Sequence, residues 1–286
     1  MTTMAKDKLR QVIAQIAAID PAVAIELSAL SDCLVRSIAR EEAAGAATSV
    51  PTQPSKIALI SVSGPLTPRG SWYGSSLSQI ASQVSRAAAD PDVAGIVLDV
   101  DSPGGTVAGT SEAAAAVAEA AQKKPVIACV NTLAASAAYW IASQASEIVM
   151  SPSADVGSIG AMVMHVDYGK ALEEAGITVT MIRSEQSPKK NEAHPFGPLS
   201  DEARANLQSR VNDAGATFIK AVASGRKVSQ AKVREEFGQG RMFGAKEAVA
   251  RGMADRIATL DQVVGAVVVK DPTRTTMRRR SALAFE

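Results

Sequence analysis

From Lys56 to Met150 the chain alternates short apolar runs with helical stretches, and the runs are mostly apolar at consecutive positions. Ile57–Val62, Val93–Val100 (broken only by Gly95 and Asp99) and Pro125–Val130 read as strands. Ser75–Ala89, the alanine-rich Thr110–Gln122 and Ala135–Ala145 read as helices. Successive strand residues face opposite sides of a sheet, so a run that is apolar throughout needs cover on both faces. Helices packed on both sides of a parallel sheet supply that cover, which predicts an α/β fold of strand–helix–strand units. Further strands are expected at Ile148–Met150, Ala161–Val166 and Ile177–Arg183, with helices from Ser200 to Val222, over 228–237 and over 245–251.

The flanks read differently. Leu9, Ile13, Ile16 and Ala17 recur at helical spacing within 5–43, and Asp20-Pro21 breaks and restarts that helix. Residues 44–55 have linker composition. The expected organisation is a helical extension and linker over 1–55, a main domain over 56–268, and a basic flexible tail over 269–286 containing Arg278-Arg279-Arg280. Thirty basic residues face 29 acidic ones, so no overall field favours nucleic acid. Cys33 and Cys129 lie far apart and read as free thiols of a reducing compartment. There is no run of about 18 apolar residues to cross a membrane, and the N-terminus does not read as a signal peptide. A cytoplasmic protein without a membrane anchor is expected.

Four segments can carry chemistry, and each has a plainer reading. Asp101-Ser102-Pro103-Gly104-Gly105 follows an apolar strand and precedes a helix. Its glycines permit positive φ and leave N–H groups unobstructed for a phosphate or a developing oxyanion, or they simply make a tight turn. No Gly-Lys-Ser/Thr follows, so this is not a Walker loop. Ser136, flanked by alanines at the start of a helix, is either a helix cap or an approachable hydroxyl beside free N–H groups. Ser158, between Gly157 and Gly160, is a loop serine bonded to local backbone or a polar contact in a site. Lys189 and Lys190 are surface lysines, or one of them is a base whose ammonium loses its proton through burial. The two histidines limit the alternatives. A Ser–His–Asp triad could use His165 with Asp167, two residues apart on one strand face.

Taken together, in order, the Asp-Ser-Pro-Gly-Gly turn, Ala134-Ala135-Ser136-Ala137-Ala138-Tyr139-Trp140-Ile141-Ala142, Gly157-Ser158-Ile159-Gly160 and a Lys-x-x-x-x-Pro ending at Pro195 resemble the signal peptide peptidase A family. Gly244-Ala245-Lys246-Glu247-Ala248 and Arg251-Gly252-Met253-Ala254-Asp255 extend the resemblance, which covers about residues 56–265. It implies a Clp protease/crotonase-like fold of repeated β-β-α units and a serine peptidase with a Ser–Lys dyad. Ser136 is then the nucleophile and Lys190, five residues before Pro195, the general base. Ser158 orients the lysine, and the N–H groups of Gly105 and Ala137 form the oxyanion hole. Many family members have glycine after the nucleophile, where this chain has Ala137 and Ala138.

The resemblance implies no cofactor and no metal, a polypeptide substrate and a homo-oligomer. The absent anchor points to the soluble phage and prophage members, which process capsid or scaffold proteins, within the host cytoplasm or a prohead. A cytoplasmic peptidase that degrades signal peptides or proteins is the alternative within the class. A non-catalytic capsid or scaffold component, and an acyl-CoA enzyme of the crotonase type, are the alternatives outside it. Self-cleavage is expected, if anywhere, in 44–55 or near Ser281–Ala284, both rich in small residues.

Overall fold

The computed structural model describes residues 56–269. The helical stretch over 5–43, the linker, Cys33, the candidate self-cleavage segments and the tail from Lys270 onward lie outside the described residues. In chain order the elements are β1 (Lys56–Ser63), α1 (Leu77–Ala89), β2 (Val93–Ser102), α2 (Thr110–Lys123), β3 (Val126–Ala135), α3 (Ala137–Ala142), β4 (Glu147–Met150) and β5 (Asp155–Gly157). They continue as α4 (Gly169–Glu174), α5 (Asp201–Gly225), α6 (Gln230–Glu236), β6 (Met242–Gly244), α7 (Ala245–Arg251), β7 (Arg256–Ile257) and α8 (Leu260–Val269).

The main sheet runs β1-β2-β3-β4-β7 with every neighbouring pair parallel. One face buries Ile96, Leu98, Val100, Ala128, Val130, Ile148 and Met150 beneath α1 and α2. Leu77, Ile80 and Val84 of α1 and Ala113, Val117 and Ala120 of α2 recur at helical spacing and form the covering stripe. Across the sheet, Val97, Cys129 and Val149 are covered by Val263 of α8, so the central strands are apolar on both faces for the reason the sequence suggests. The Cys129 thiol is fully buried there. Burial first, then Asp99, push its pKa up to about 11, against a smaller opposing effect of Arg256.

β3 is the pivotal strand. Its first half, Ile127–Val130, pairs with β4, and its second half, Leu133–Ala135, pairs with β5. β5 in turn pairs antiparallel with β6. One strand thus serves two ladders before its helix α3 begins, which is how the β-β-α unit is realised at this point. The two expected strands at Ala161–Val166 and Ile177–Arg183 have no ladder partner among the described residues and are not strands. Their alternating apolar residues instead lie in a long excursion between β5 and α5, where Met162, Met164 and Ile182 are 87%, 76% and 94% exposed.

The far side of the domain is closed by a charged clasp. Tyr139 of α3 is fully buried and donates its hydroxyl to the Met253 carbonyl at 2.9 Å. Beside it, Arg226 grips both oxygens of Asp255 at 2.7 and 2.9 Å, and Asp255 also accepts the Ile148 N–H at 2.7 Å. Burial works most strongly against the Asp255 charge, but the hydrogen bonds from Arg226 and Ile148 outweigh it and hold the carboxyl below its ordinary value. A depressed carboxyl pKa contributes stability above the unfolded value of about 3.9, and that contribution is lost as pH falls through the folded value. In urea unfolding, Asp255→Asn is expected to be less stable than wild type at pH 7, and the gap to narrow below about pH 4. A gap of the same size at pH 3 contradicts this account.

Candidate active site

Strand register brings three of the four chemical segments to one point. Ser102 of β2 pairs with Ala134 of β3, and Ala135 of β3 pairs with Gly157 of β5. The residues that follow each strand end, Pro103–Gly105, Ser136 and Ser158, therefore leave the sheet side by side. This is the carboxyl end of the parallel strands, where sites of open α/β sheets form.

Ser136 is not a conventional helix cap. It stands at φ 52°, ψ −124°, and its side chain accepts no N–H from the first turn of α3. A non-glycine residue in that region costs of order 1–3 kcal/mol and persists only where its surroundings impose it. The imposition is visible: the Ser136 N–H donates to the Gly157 carbonyl at 2.9 Å, and its carbonyl accepts from Trp140 N–H at 3.0 Å. The sharp turn between strand and helix lifts the half-buried serine out of the sheet, as in the strained nucleophile turns of hydrolases.

The glycine turn sits directly against it. Gly104 has φ +92°, and a Cβ placed there would stand 2.8 Å from Ser136 Cβ and 2.9 Å from Ala137 N. On the other side, Leu66 N–H donates to the Gly104 carbonyl at 2.8 Å and Thr106 N–H to the Leu66 carbonyl at 3.0 Å. A Cβ at Gly105 would lie 1.8 Å from the Leu66 oxygen. Buried Ser102 fixes the base of the turn, donating to the Gly64 carbonyl at 2.7 Å and accepting Gly104 N–H at 3.1 Å. The alternation of these bonds points the Gly105 N–H away from Leu66. Among the described residues neither that N–H nor the Ala137 N–H, the first of α3, has a backbone acceptor. Both are available to a negative oxygen beside Ser136.

Ser158 is half-buried, at φ 54°, with its N–H on the Arg241 carbonyl at 2.9 Å. Its neighbour Gly157 has φ +137° and no room for a Cβ, because the Arg241 oxygen would lie 2.3 Å away. Lys190 is not brought to this cluster. It is exposed in the excursion after Gly160; its N–H donates to the Ser187 carbonyl at 3.1 Å and its carbonyl accepts from Arg183 Nε at 2.6 Å. Lys189 is paired with Glu202, and neither lysine lines the cleft at Ser136. The histidines are engaged elsewhere: His165 Nε2 contacts the His194 carbonyl at 2.9 Å, and His194 Nδ1 accepts Phe196 N–H at 3.2 Å. Asp167 accepts the Gly169 N–H at 2.7 Å, so His165 and Asp167 form no triad with Ser136.

Two residues that the sequence reading did not single out complete the cleft. Trp140, one turn after Ser136, stacks on Phe218 of α5 with ring centroids 4.7 Å apart and planes 12° from parallel. Trp140 had a signal, since residues four apart share a helix face. Phe218 comes from a distant helix, and only the tertiary fold brings it there.

The Peptidase family S49 model matches residues 118–270. Capsid assembly protease C of Escherichia phage lambda is 36% identical over 178 residues, covering 62% of this chain and 40% of that protein. Head-tail preconnector protein GP5 of Enterobacteria phage P21 is 32% identical over 185 residues, covering 65% of this chain and 36% of that protein. The chain thus spans less than half the length of either relative. Among solved structures, a 1510-N membrane-bound stomatin-specific protease matches with a TM-score of 0.50 at 15% identity, over 73% of this chain and 83% of that one. That likeness concerns the fold alone.

The glycine contact yields a stability prediction. Gly104 and Gly252 both have positive φ, but a Cβ at Gly252 meets nothing within 4 Å. Alanine at either position incurs the backbone strain, and only Gly104→Ala adds a clash with the Ser136 turn. In chemical unfolding Gly104→Ala is expected to lose at least about 1 kcal/mol more than Gly252→Ala, the lower end for an overpacked site. Equal losses contradict the contact described.

Proposed function

The chain belongs to peptidase family S49, and from that premise we propose that it is a serine endopeptidase using a Ser136–Lys190 dyad. The observation that carries the reading is the strained Ser136, held at positive φ beside the unspent N–H groups of Gly105 and Ala137. Neutral Lys190 accepts the Ser136 proton as Oγ attacks the peptide carbonyl carbon. The two N–H groups hold the oxyanion, each contributing about 3–4 kcal/mol by analogy with a single donor of a known oxyanion hole. The lysine, now ammonium, protonates the leaving amine. Water then attacks the acyl-enzyme with the same lysine as base, and Ser136 regains its proton. The Ser158 hydroxyl, beside Ser136 in strand register, accepts a hydrogen bond from the lysine amine.

The dyad requires a rearrangement, since Lys190 is exposed and away from the cleft. The excursion that carries it supports one. Among the described residues it has no ladder partner, and Met162, Val163, Met164, Ile177, Val179 and Ile182 are exposed apolar residues. Exposed apolar surface of that extent marks a region covered in an assembled form. The reading is that the excursion closes when copies of the chain associate, and that closure brings the lysine to Ser136 and strips water from it. Desolvation then favours the neutral amine that the mechanism needs.

The relatives support a substrate class. One is named a capsid assembly protease and another a head-tail preconnector protein, and processing of phage or prophage head proteins is the proposed role. The second name also favours a non-catalytic head component, which is the competing reading. No helix among the described residues is long and apolar enough to cross a membrane.

With casein and a phage head protein as substrates, Ser136→Ala and Lys190→Ala are each expected to lose activity by ~1000-fold or more, as for nucleophiles and bases that act as a unit. Lys189→Ala is expected to retain it. Full activity in Ser136→Ala or Lys190→Ala contradicts the dyad. Inactivity of the wild-type chain on both substrates favours the head component.

A further inference from the structure

The cleft beside Ser136 is shaped to choose a substrate side chain. It is lined by Gly105, Ser136 and Ala137, the residues of the proposed nucleophile and oxyanion hole, by Gly160 and Ala161 where the excursion begins, and by Val107, Thr110, Trp140, Ala214 and Phe218. A peptide carbonyl attacked by Ser136 with its oxygen on the Gly105 and Ala137 N–H groups has its own Cα one bond away. The side chain on that Cα has to enter this cleft or lie across its mouth.

The cleft is small. The centre of a water molecule can occupy only about 10 Å³ of it. That is room for about one water, and so for about one methyl group. Its floor is the buried Trp140–Phe218 stack, which is bounded by the buried Thr110 and cannot drop without opening the core. No lining residue carries a charge, and the Thr106 and Thr110 hydroxyls are both turned onto backbone carbonyls, of Ala108 and Thr106, at 2.9 and 2.7 Å. A charged side chain placed there finds no partner, and burying a charge unpaired is strongly unfavourable.

Resting on the serine-peptidase reading, we infer that this cleft receives the residue on the acyl side of the scissile bond and that the Trp140–Phe218 floor restricts that residue to alanine, serine or glycine. The chain then cuts after small uncharged residues and rejects leucine, phenylalanine and lysine at that position. Phe218 is a specificity-determining residue, since it comes from α5 and leaves Ser136 and the oxyanion N–H groups untouched. Ala214, one turn before it on the same helix face, sets the width of the mouth.

The test uses the full chain and peptidyl diphenyl phosphonates that share one leader sequence and differ only in the terminal residue mimic: glycine, alanine, leucine, phenylalanine or lysine. Labelling rates are read by intact mass, with Ser136→Ala as the blank. The alanine analogue is expected to label wild type ~10-fold or more faster than the leucine analogue, the scale on which a pocket discriminates by size. Phe218→Ala is expected to raise the leucine rate relative to alanine by ~10-fold or more. Ala214→Leu fills the cleft from the helix surface, and is expected to slow the alanine analogue while sparing the glycine one. Faster labelling of wild type by the leucine, phenylalanine or lysine analogue overturns the inference while leaving the serine reading intact. So does an alanine-to-leucine ratio unmoved in Phe218→Ala, or equal slowing of the glycine and alanine analogues in Ala214→Leu. Absence of labelling at Ser136 by every analogue refutes the serine reading and this inference with it.

Discussion

The hydrogen bond from Ser136 N–H to the Gly157 carbonyl holds the rest of the site in place. It exists because β3 pairs with β4 over its first half and with β5 over its second, so the strand ends against a different neighbour from the one it began with. Without that change of partner, a serine at the start of α3 would relax into an ordinary cap, with its hydroxyl spent on the first turn. With it, the backbone turns at positive φ, the hydroxyl stands clear, and the first N–H of the helix is left unpaired. Gly104 presses against the turn from the other side, where only a hydrogen in place of a Cβ fits. The strain at Ser136 is therefore held by two ladders and one glycine, all of them outside the serine itself.

Much of this was legible before any coordinates. Apolar runs at Val93–Val100 and Pro125–Val130 specified a covered parallel sheet, because no solvent-facing strand tolerates such composition. Helix starts were legible where a serine cap stands, as at Ser76 and Ser200. The places of Asp101–Gly105 and Ser136, each behind an apolar strand, followed from the apolar runs and the rule for strand ends, whereas the approach of Ser158 depends on β5 and did not. Short elements were not legible. β5, β6 and β7 are two or three residues long and exist only through their partners. α4 and α8 were not anticipated either, and Trp140 found its counterpart in Phe218 through tertiary contact alone.

The excursion between β5 and α5 marks where local pattern misleads. Ala161–Val166 and Ile177–Arg183 have strand composition, yet among the described residues no strand edge meets them. Backbone hydrogen-bonding groups and apolar side chains that find no partner at home remain exposed. The same stretch carries Lys190, exposed and away from Ser136. The sheet and the strained turn at Ser136 are built from residues of one chain.

α5 has a mechanical consequence of its own. Its C-terminal end is wedged, with Gly225 against the Ser143 carbonyl, Gln144 Nε2 on the Ala221 carbonyl at 3.0 Å, and Arg226 locked to Asp255. Its first three turns are largely bare of packing, with Ala203 the one fully buried residue before Phe218. The helix is clamped beneath the cleft, while its first turns are tied to the excursion through the Lys189–Glu202 ion pair and the Asn206–Glu192 hydrogen bond at 2.8 Å. A displacement of the excursion is therefore handed to the thinly packed end of the helix before it reaches the rings of Trp140 and Phe218.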